Sequence, residues 1–114
     1  MSKQRDLKLY LIDILESGNN ILNFTKDLTF NDFLQDRKTQ SAVIREFEVI
    51  GEAVSKLPQK VKNRYANINW QDIKDFRNIL IHEYFGVDLE IVWKVIKKDL
   101  PELLKTVELI LEEF

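Results

Sequence analysis

Arg77, His82 and Tyr84 are the side chains of this sequence best suited to chemistry on an anion. They lie within Arg77-Asn78-Ile79-Leu80-Ile81-His82-Glu83-Tyr84, which combines a permanent cation, an imidazole and a phenol. A guanidinium stays charged and binds two oxygens of a phosphate or carboxylate at once, and an unperturbed imidazole, with a pKa of about 6.5, takes or gives a proton near neutrality. His82 is the chain's single histidine and there is no cysteine. Zinc clusters, disulfide frameworks, thiol nucleophiles and multi-histidine metal sites are thereby excluded. No metal and no cofactor is expected, and every imidazole-dependent step must pass through His82.

The element that positions these residues reads as a helix from Trp70 to about Tyr84. On a wheel of about 100° per residue, Trp70, Ile73, Leu80, Ile81 and Tyr84 share one arc with Phe76 at its edge, and Arg77 lies inside that arc. An arginine so placed requires a carboxylate, a bound anion or a second protein surface. An internal glutamate, or a head group snorkelling to the bundle edge, would make it structural. His82 falls about 140° away, on the polar side with Gln71, Asp75 and Asn78. Arg77 and His82 therefore cannot converge along a straight helix. They meet if the helix distorts near Tyr84-Phe85-Gly86, or if two copies of it pack together. Tyr84 is nearly eclipsed with Arg77, about 10 Å further along the axis, and borders the same groove.

The rest of the chain reads as a scaffold of helices. Its 114 residues make one domain, 1–114, and 45% hydrophobic with 32% charged residues exclude intrinsic disorder. Three glycines and two prolines are too few for a many-stranded sandwich or barrel, so the fold class is all-α. Helical spacing runs from Gln4 to about Asp27, with Gly18 its weak point, and Thr29 with Asp32 signals a short capped turn. A second long helix from Asp36 to Leu57 carries the stripe Val43, Phe47, Ile50, Val54 and Leu57, stopped by Pro58. Gln59 to Asn69 reads as a short helix and connection. After the Trp70 helix, Asp88 caps a helix through Ile96, and Pro101 opens a last one. The sum is an antiparallel bundle of four to five helices. No apolar run reaches the roughly 20 residues needed to span a bilayer, and Met1 to Asp6 lacks a signal peptide's apolar core. A cytoplasmic protein with no membrane partner is expected.

The run from Arg77 to Tyr84 also resembles the R-x4-H-x-Y motif of the HEPN superfamily, and more narrowly its HepT-like toxin branch. The resemblance extends through Asp36-Arg37-Lys38-Thr39-Gln40, Ile50-Gly51-Glu52-Ala53, Trp70-Gln71-Asp72-Ile73, Phe85-Gly86-Val87-Asp88 and Asp99-Leu100-Pro101-Glu102-Leu103, nearly the full length. It implies a homodimeric, HEPN-like helical fold and a metal-independent ribonuclease, the toxin of a type II toxin–antitoxin pair. The antitoxin implied is a minimal nucleotidyltransferase. By position, Arg77 and His82 match the catalytic pair, Asn78 their polar neighbour, and Tyr84 the tyrosine that such an antitoxin modifies with AMP.

RNA carries its own nucleophile, the 2'-hydroxyl, which suits a chain without a metal site. Cleavage needs a base for that proton, an acid for the leaving 5'-oxygen, and positive charge for the phosphorane. One histidine per chain cannot easily do both proton jobs, whereas a dimer supplies two. Phosphate affinity is expected from Lys56, Lys60, Lys62 and Arg64, with Lys94, Lys97 and Lys98 as a second cluster, though both also read as solvated helix faces. Asp72, Asp75 and Glu83 flank the motif, which favours a specific target, a tRNA or mRNA region, over indiscriminate degradation. Two other readings remain: a catalytically silent HEPN dimer that binds a nucleotide or partner for the nucleotidyltransferase, and a purely structural bundle.

Overall fold

The computed structural model describes residues 3–83 and 86–114. Among these residues the chain forms α-helices α1 (Lys3–Thr25), α2 (Phe30–Leu34), α3 (Arg37–Ser55), α4 (Gln59–Arg64), α5 (Trp70–His82), α6 (Leu89–Lys94) and α7 (Leu100–Leu111), with a π-helical turn at Val95–Asp99, and no strand. The all-α expectation holds. The bundle is built from α1, α3, α5 and the continuous rod from α6 through α7, while α2 and α4 are short connectors.

Local chemistry accounts for where the elements begin. The Thr29 hydroxyl accepts from the Asp32 N–H and the Asp32 carboxylate accepts from the Thr29 N–H, a reciprocal capping box that starts α2. Asp36 caps α3 by accepting from both the N–H and the hydroxyl of Thr39. Those bonds hold its carboxyl below the usual carboxylate range, the hydroxyl contributing most. Asn69 caps α5 and Asp88 caps α6 in the same manner.

The last helix departs from expectation. Pro101 does not open a separate element, because α6 runs into α7 without a break. Proline lacks an N–H, and its ring presses on the carbonyl four residues back. The wider π turn, in which the Leu100 N–H reaches back to the Val95 carbonyl, accommodates this without ending the helix.

Packing follows the predicted stripes. Leu11, Ile14 and Ile21 of α1, Val43, Phe47, Ile50 and Val54 of α3, and Val107 and Ile110 of α7 are buried in one core. α3 lies between α1 and α5, and α1 also packs on α7. Gly18 is a point of close approach in that last contact, since a Cβ there would collide with the Leu104 side chain. The absent side chain thus lets two helices approach, which offsets the intrinsic cost of glycine within a helix. No helix among the described residues is long and apolar enough to cross a membrane.

Candidate functional site around Arg77

α5 docks on α3 through Leu80, which is fully buried, and through the half-buried Ile73 and Phe76. At its N-terminus the Trp70 indole N–H donates to the carbonyls of Lys62 and Tyr65, each at 3.1 Å, tying α5 to the preceding turn. This rotation turns Arg77 towards α3. Its stem lies over Gly51, where an added Cβ would stand 2.5 Å from Cδ, 2.6 Å from Cβ and 2.7 Å from Cγ of the arginine. The small residue in the middle of α3 is therefore the seat of the arginine.

Glu52, the next residue, supplies the carboxylate that an arginine in an apolar arc demands. Arg77 Nη2 donates to Glu52 Oε2 at 2.7 Å, and Lys56 Nζ lies 4.0 Å from the other oxygen. The Arg77 side chain is 26% exposed against 53% for Glu52. Arg77 Nε is buried and has no hydrogen-bond partner. An orphaned donor of this kind costs about 1–3 kcal/mol, so packing and the ion pair must hold the arm where it is. The cleft in front has a volume of about 490 Å3 and is bordered by Tyr10, Asp13, Arg45, Glu48, Lys56 and Ile81 as well as by Glu52 and Arg77.

His82 is exposed in the last turn of α5, and Glu83 ends the helix with its N–H bonded to the Ile79 carbonyl at 2.9 Å. Because α5 is regular α-helix from Arg77 through His82, no distortion within it brings the two together. Arg77 faces α3 while His82 looks outward. Asn78 is half-buried between them. Ile81, expected on the buried arc, is 43% exposed, and Ile79 is 48% exposed. Tyr84 lies outside the described residues.

The four expected phosphate-binding cations differ in their surroundings. Lys56 borders the Arg77 cleft and Lys60 is exposed. Lys62 is half-buried, its ammonium pushed below the ordinary lysine range by burial first and by Lys74 second. Arg64 pairs with Glu113 at 3.2 Å. In the second cluster, Lys94 approaches Glu90 at 3.8 Å and Lys97 sits 4.6 Å from the centroid of the Trp93 ring. Sequence reasoning passed over Arg45 and Glu52 as site residues. The available signal was the spacing of Arg45, Glu48, Glu52 and Lys56, which puts the first three on one face of α3 and Lys56, the residue that ends it, in line with them.

The opposite flank of α5 differs in character. A cleft of about 400 Å3 has an apolar floor that includes Phe47, Ile50 and Leu103, and a rim carrying Asp72, Asp75, Asp99 and Glu102. Such a rim disfavours an anion.

A family model described as ribonuclease HepT-like matches residues 14–110. The curated protein "Putative RNase MJ1380" of Methanocaldococcus jannaschii is 44% identical over 110 residues, 96% of this chain and 100% of that one. "Probable ribonuclease HepT" of Thermococcus cleftensis is 46% identical over 100 residues, 88% of this chain and 91% of that one. "Gamma-glutamylcyclotransferase and putative RNase MJ0434" of Methanocaldococcus jannaschii is 46% identical over 110 residues, 96% of this chain but 50% of its own length. No solved structure matches the chain.

Proposed function

The chain belongs to the ribonuclease HepT-like family, and from that membership we propose that it is the toxin of a type II toxin–antitoxin pair, a metal-independent endoribonuclease acting as a homodimer. Arg77 binds the scissile phosphate and His82 moves the protons. The 2'-oxygen bonds to phosphorus as its proton passes to one imidazole, and the P–O5' bond breaks as a second imidazole protonates the leaving oxygen, giving a 2',3'-cyclic phosphate. The Arg77 guanidinium balances the added charge of the phosphorane. Asn78 orients the outer edge of the site, and Lys56 and Lys60 extend the phosphate track. The antitoxin is a nucleotidyltransferase that transfers AMP to Tyr84.

The observation that carries this reading is the geometry of α5. The helix is regular between Arg77 and His82, which keeps the pair about 140° apart, and it rests on α3 while exposing Ile79 and Ile81. A second copy of α5 packed over Ile81, which borders the Arg77 cleft, would cover apolar surface and supply the missing imidazole in the same step. The test is cleavage of defined tRNA and mRNA substrates by the wild type and His82→Ala, with the 3' ends identified. Cyclic phosphate ends from the wild type and none from the variant support the reading; cleavage that survives in the variant removes it.

The Arg77–Glu52 ion pair favours a second reading, in which the arginine is already neutralised and the dimer is a silent binding module for the nucleotidyltransferase. The same assay separates the two, because a silent module cuts nothing.

A further inference from the structure

We propose that Glu52 is the positioning residue of Arg77 and that Gly51 is the seat on which it does so. The inference rests on the ribonuclease reading of Arg77 and names the residues that make the arginine competent.

Three observations meet at this point. The aliphatic stem of Arg77 occupies the space a side chain at position 51 would fill. Its Nη2 is fixed by Glu52 at 2.7 Å. Its Nε is out of water without an acceptor. An arginine held only for stability would gain by turning Nε to an acceptor or to solvent, as its length and rotamer freedom permit. Here the arm is instead pinned at its stem and at one nitrogen. A phosphate entering the cleft therefore meets it on the Nη1 side, in one orientation. Fixing a charged donor before the substrate arrives spares the reorganisation that a free side chain undergoes as charge develops.

Glu52 does not cancel the attraction of the site. Lys56 stands 4.0 Å from its second oxygen, so Arg77, Glu52 and Lys56 comprise two cations and one carboxylate. The glutamate is shared between two cations, and around the cleft Arg45, Lys56 and Arg77 balance Asp13, Glu48 and Glu52, so the pull on a phosphate comes from the fixed, partly buried guanidinium and not from a net charge. This is the arrangement expected of a carboxylate that orients an arginine for an anion, as supporting groups orient a site's primary ligands.

The experiment uses the full chain and two readouts. Nitrogen–proton NMR follows the Arg77 Nε–H, identified by its loss in Arg77→Lys, and kinetics follow cleavage of a defined RNA. In the wild type the Nε–H exchanges slowly with water; in Glu52→Ala it exchanges at least about tenfold faster, with Glu52→Gln between them because an acceptor oxygen remains. Glu52→Ala lowers kcat by about tenfold or more with KM within about twofold, and in the Arg77→Lys background it adds less than about twofold. Unchanged exchange in Glu52→Ala overturns the proposal, since the stem would then suffice. Equal or faster cleavage by Glu52→Ala overturns it too, because the carboxylate would be a competitor of the phosphate. A wild type that cuts no RNA removes the ribonuclease reading, and the exchange rates still decide whether Glu52 fixes Arg77. Gly51→Ala is the stricter variant; if it fails to fold, the Glu52 variants carry the test alone.

Discussion

Phe47 of α3 and Phe76 of α5 meet edge to face, with ring centroids 5.2 Å apart and ring planes at 84°. Phe47 stands one helical turn before Gly51, and Phe76 immediately precedes Arg77. The aromatic contact therefore sets the height and rotation at which α5 rests on α3, and with them the register of Arg77 over its seat. A packing contact and a functional geometry are fixed by the same pair of rings.

Phe76→Ala is expected to lower the stability of the chain by about 3 kcal/mol, from lost burial and a partly relaxed cavity, with about 1 kcal/mol of that from the edge-to-face contact. Phe76→Leu, which keeps most of the volume, should cost less than about 1.5 kcal/mol. Urea denaturation measures both. A change below about 0.5 kcal/mol in the alanine variant, the range of an ordinary surface substitution, would show that α5 is docked by other contacts.

Much of this arrangement is legible in the sequence because it is local. Thr29 with Asp32, and Asp88 before Leu89, satisfy helix ends within a few residues, so spacing alone predicts them. The stripe on α3 is also local in origin, a matter of helical period. What spacing does not reveal is which helix lies opposite. Arg77 on its wheel calls for a carboxylate without naming Glu52, which is 25 residues away and exposed enough to look like a solvated charge. Ile81 reads as buried because the wheel assumes one continuous apolar face, whereas α5 rests chiefly on α3 and leaves that flank open. Pro101 signals a helix start, and the π turn that absorbs it has no local sequence signature.

Acid should weaken the start of α3. Thr39 holds the Asp36 carboxyl below its ordinary value in the folded chain, so this cap contributes stability above the unfolded pKa of about 3.9 and loses it as pH falls through the lower folded value. Urea midpoints measured from about pH 5 down to about pH 2 should fall less steeply in Asp36→Asn, which keeps an oxygen acceptor but has no proton to gain. Identical slopes for the two proteins would show that the cap does not feel the acid.

Arg77→Lys should keep the fold and the association of copies while losing about 10²- to 10³-fold in cleavage rate, since an ammonium has no second nitrogen to offer a phosphate while the first is held by Glu52. Circular dichroism and light scattering establish the first part and single-turnover kinetics the second. Full activity in this variant would sink the phosphate role of Arg77.

If the proposed antitoxin is a nucleotidyltransferase, Tyr84 should gain the mass of AMP when the chain is incubated with that enzyme and ATP, and cleavage should fall as the modification accumulates. An added phosphate brings negative charge into the motif, which would repel the RNA that the proposed role has Arg77 attract. Peptide mass mapping reads the site. Modification elsewhere with Tyr84 untouched would remove this mode of neutralisation.

Mixed dimers test whether one seam holds a single composite site. If the base and the acid are His82 of one chain and the partner subunit's His82, a dimer with one wild-type and one His82→Ala chain has lost an essential group. Activity of a fully exchanged mixture then follows the square of the wild-type fraction, about one quarter at equal proportions, as expected for a self-complementary interface shared by two identical chains. Two sites that each work with the imidazole of one chain give about one half under the same conditions. Chains carrying distinguishable tags, co-refolded at a series of ratios and assayed on one RNA, trace the whole curve. A straight line would assign each active site a single His82 and require another group for the second proton. The exposed Glu83, which ends α5 beside His82, is available for that role. Glu83→Gln would then abolish cleavage under the linear outcome and leave most of it under the quadratic one.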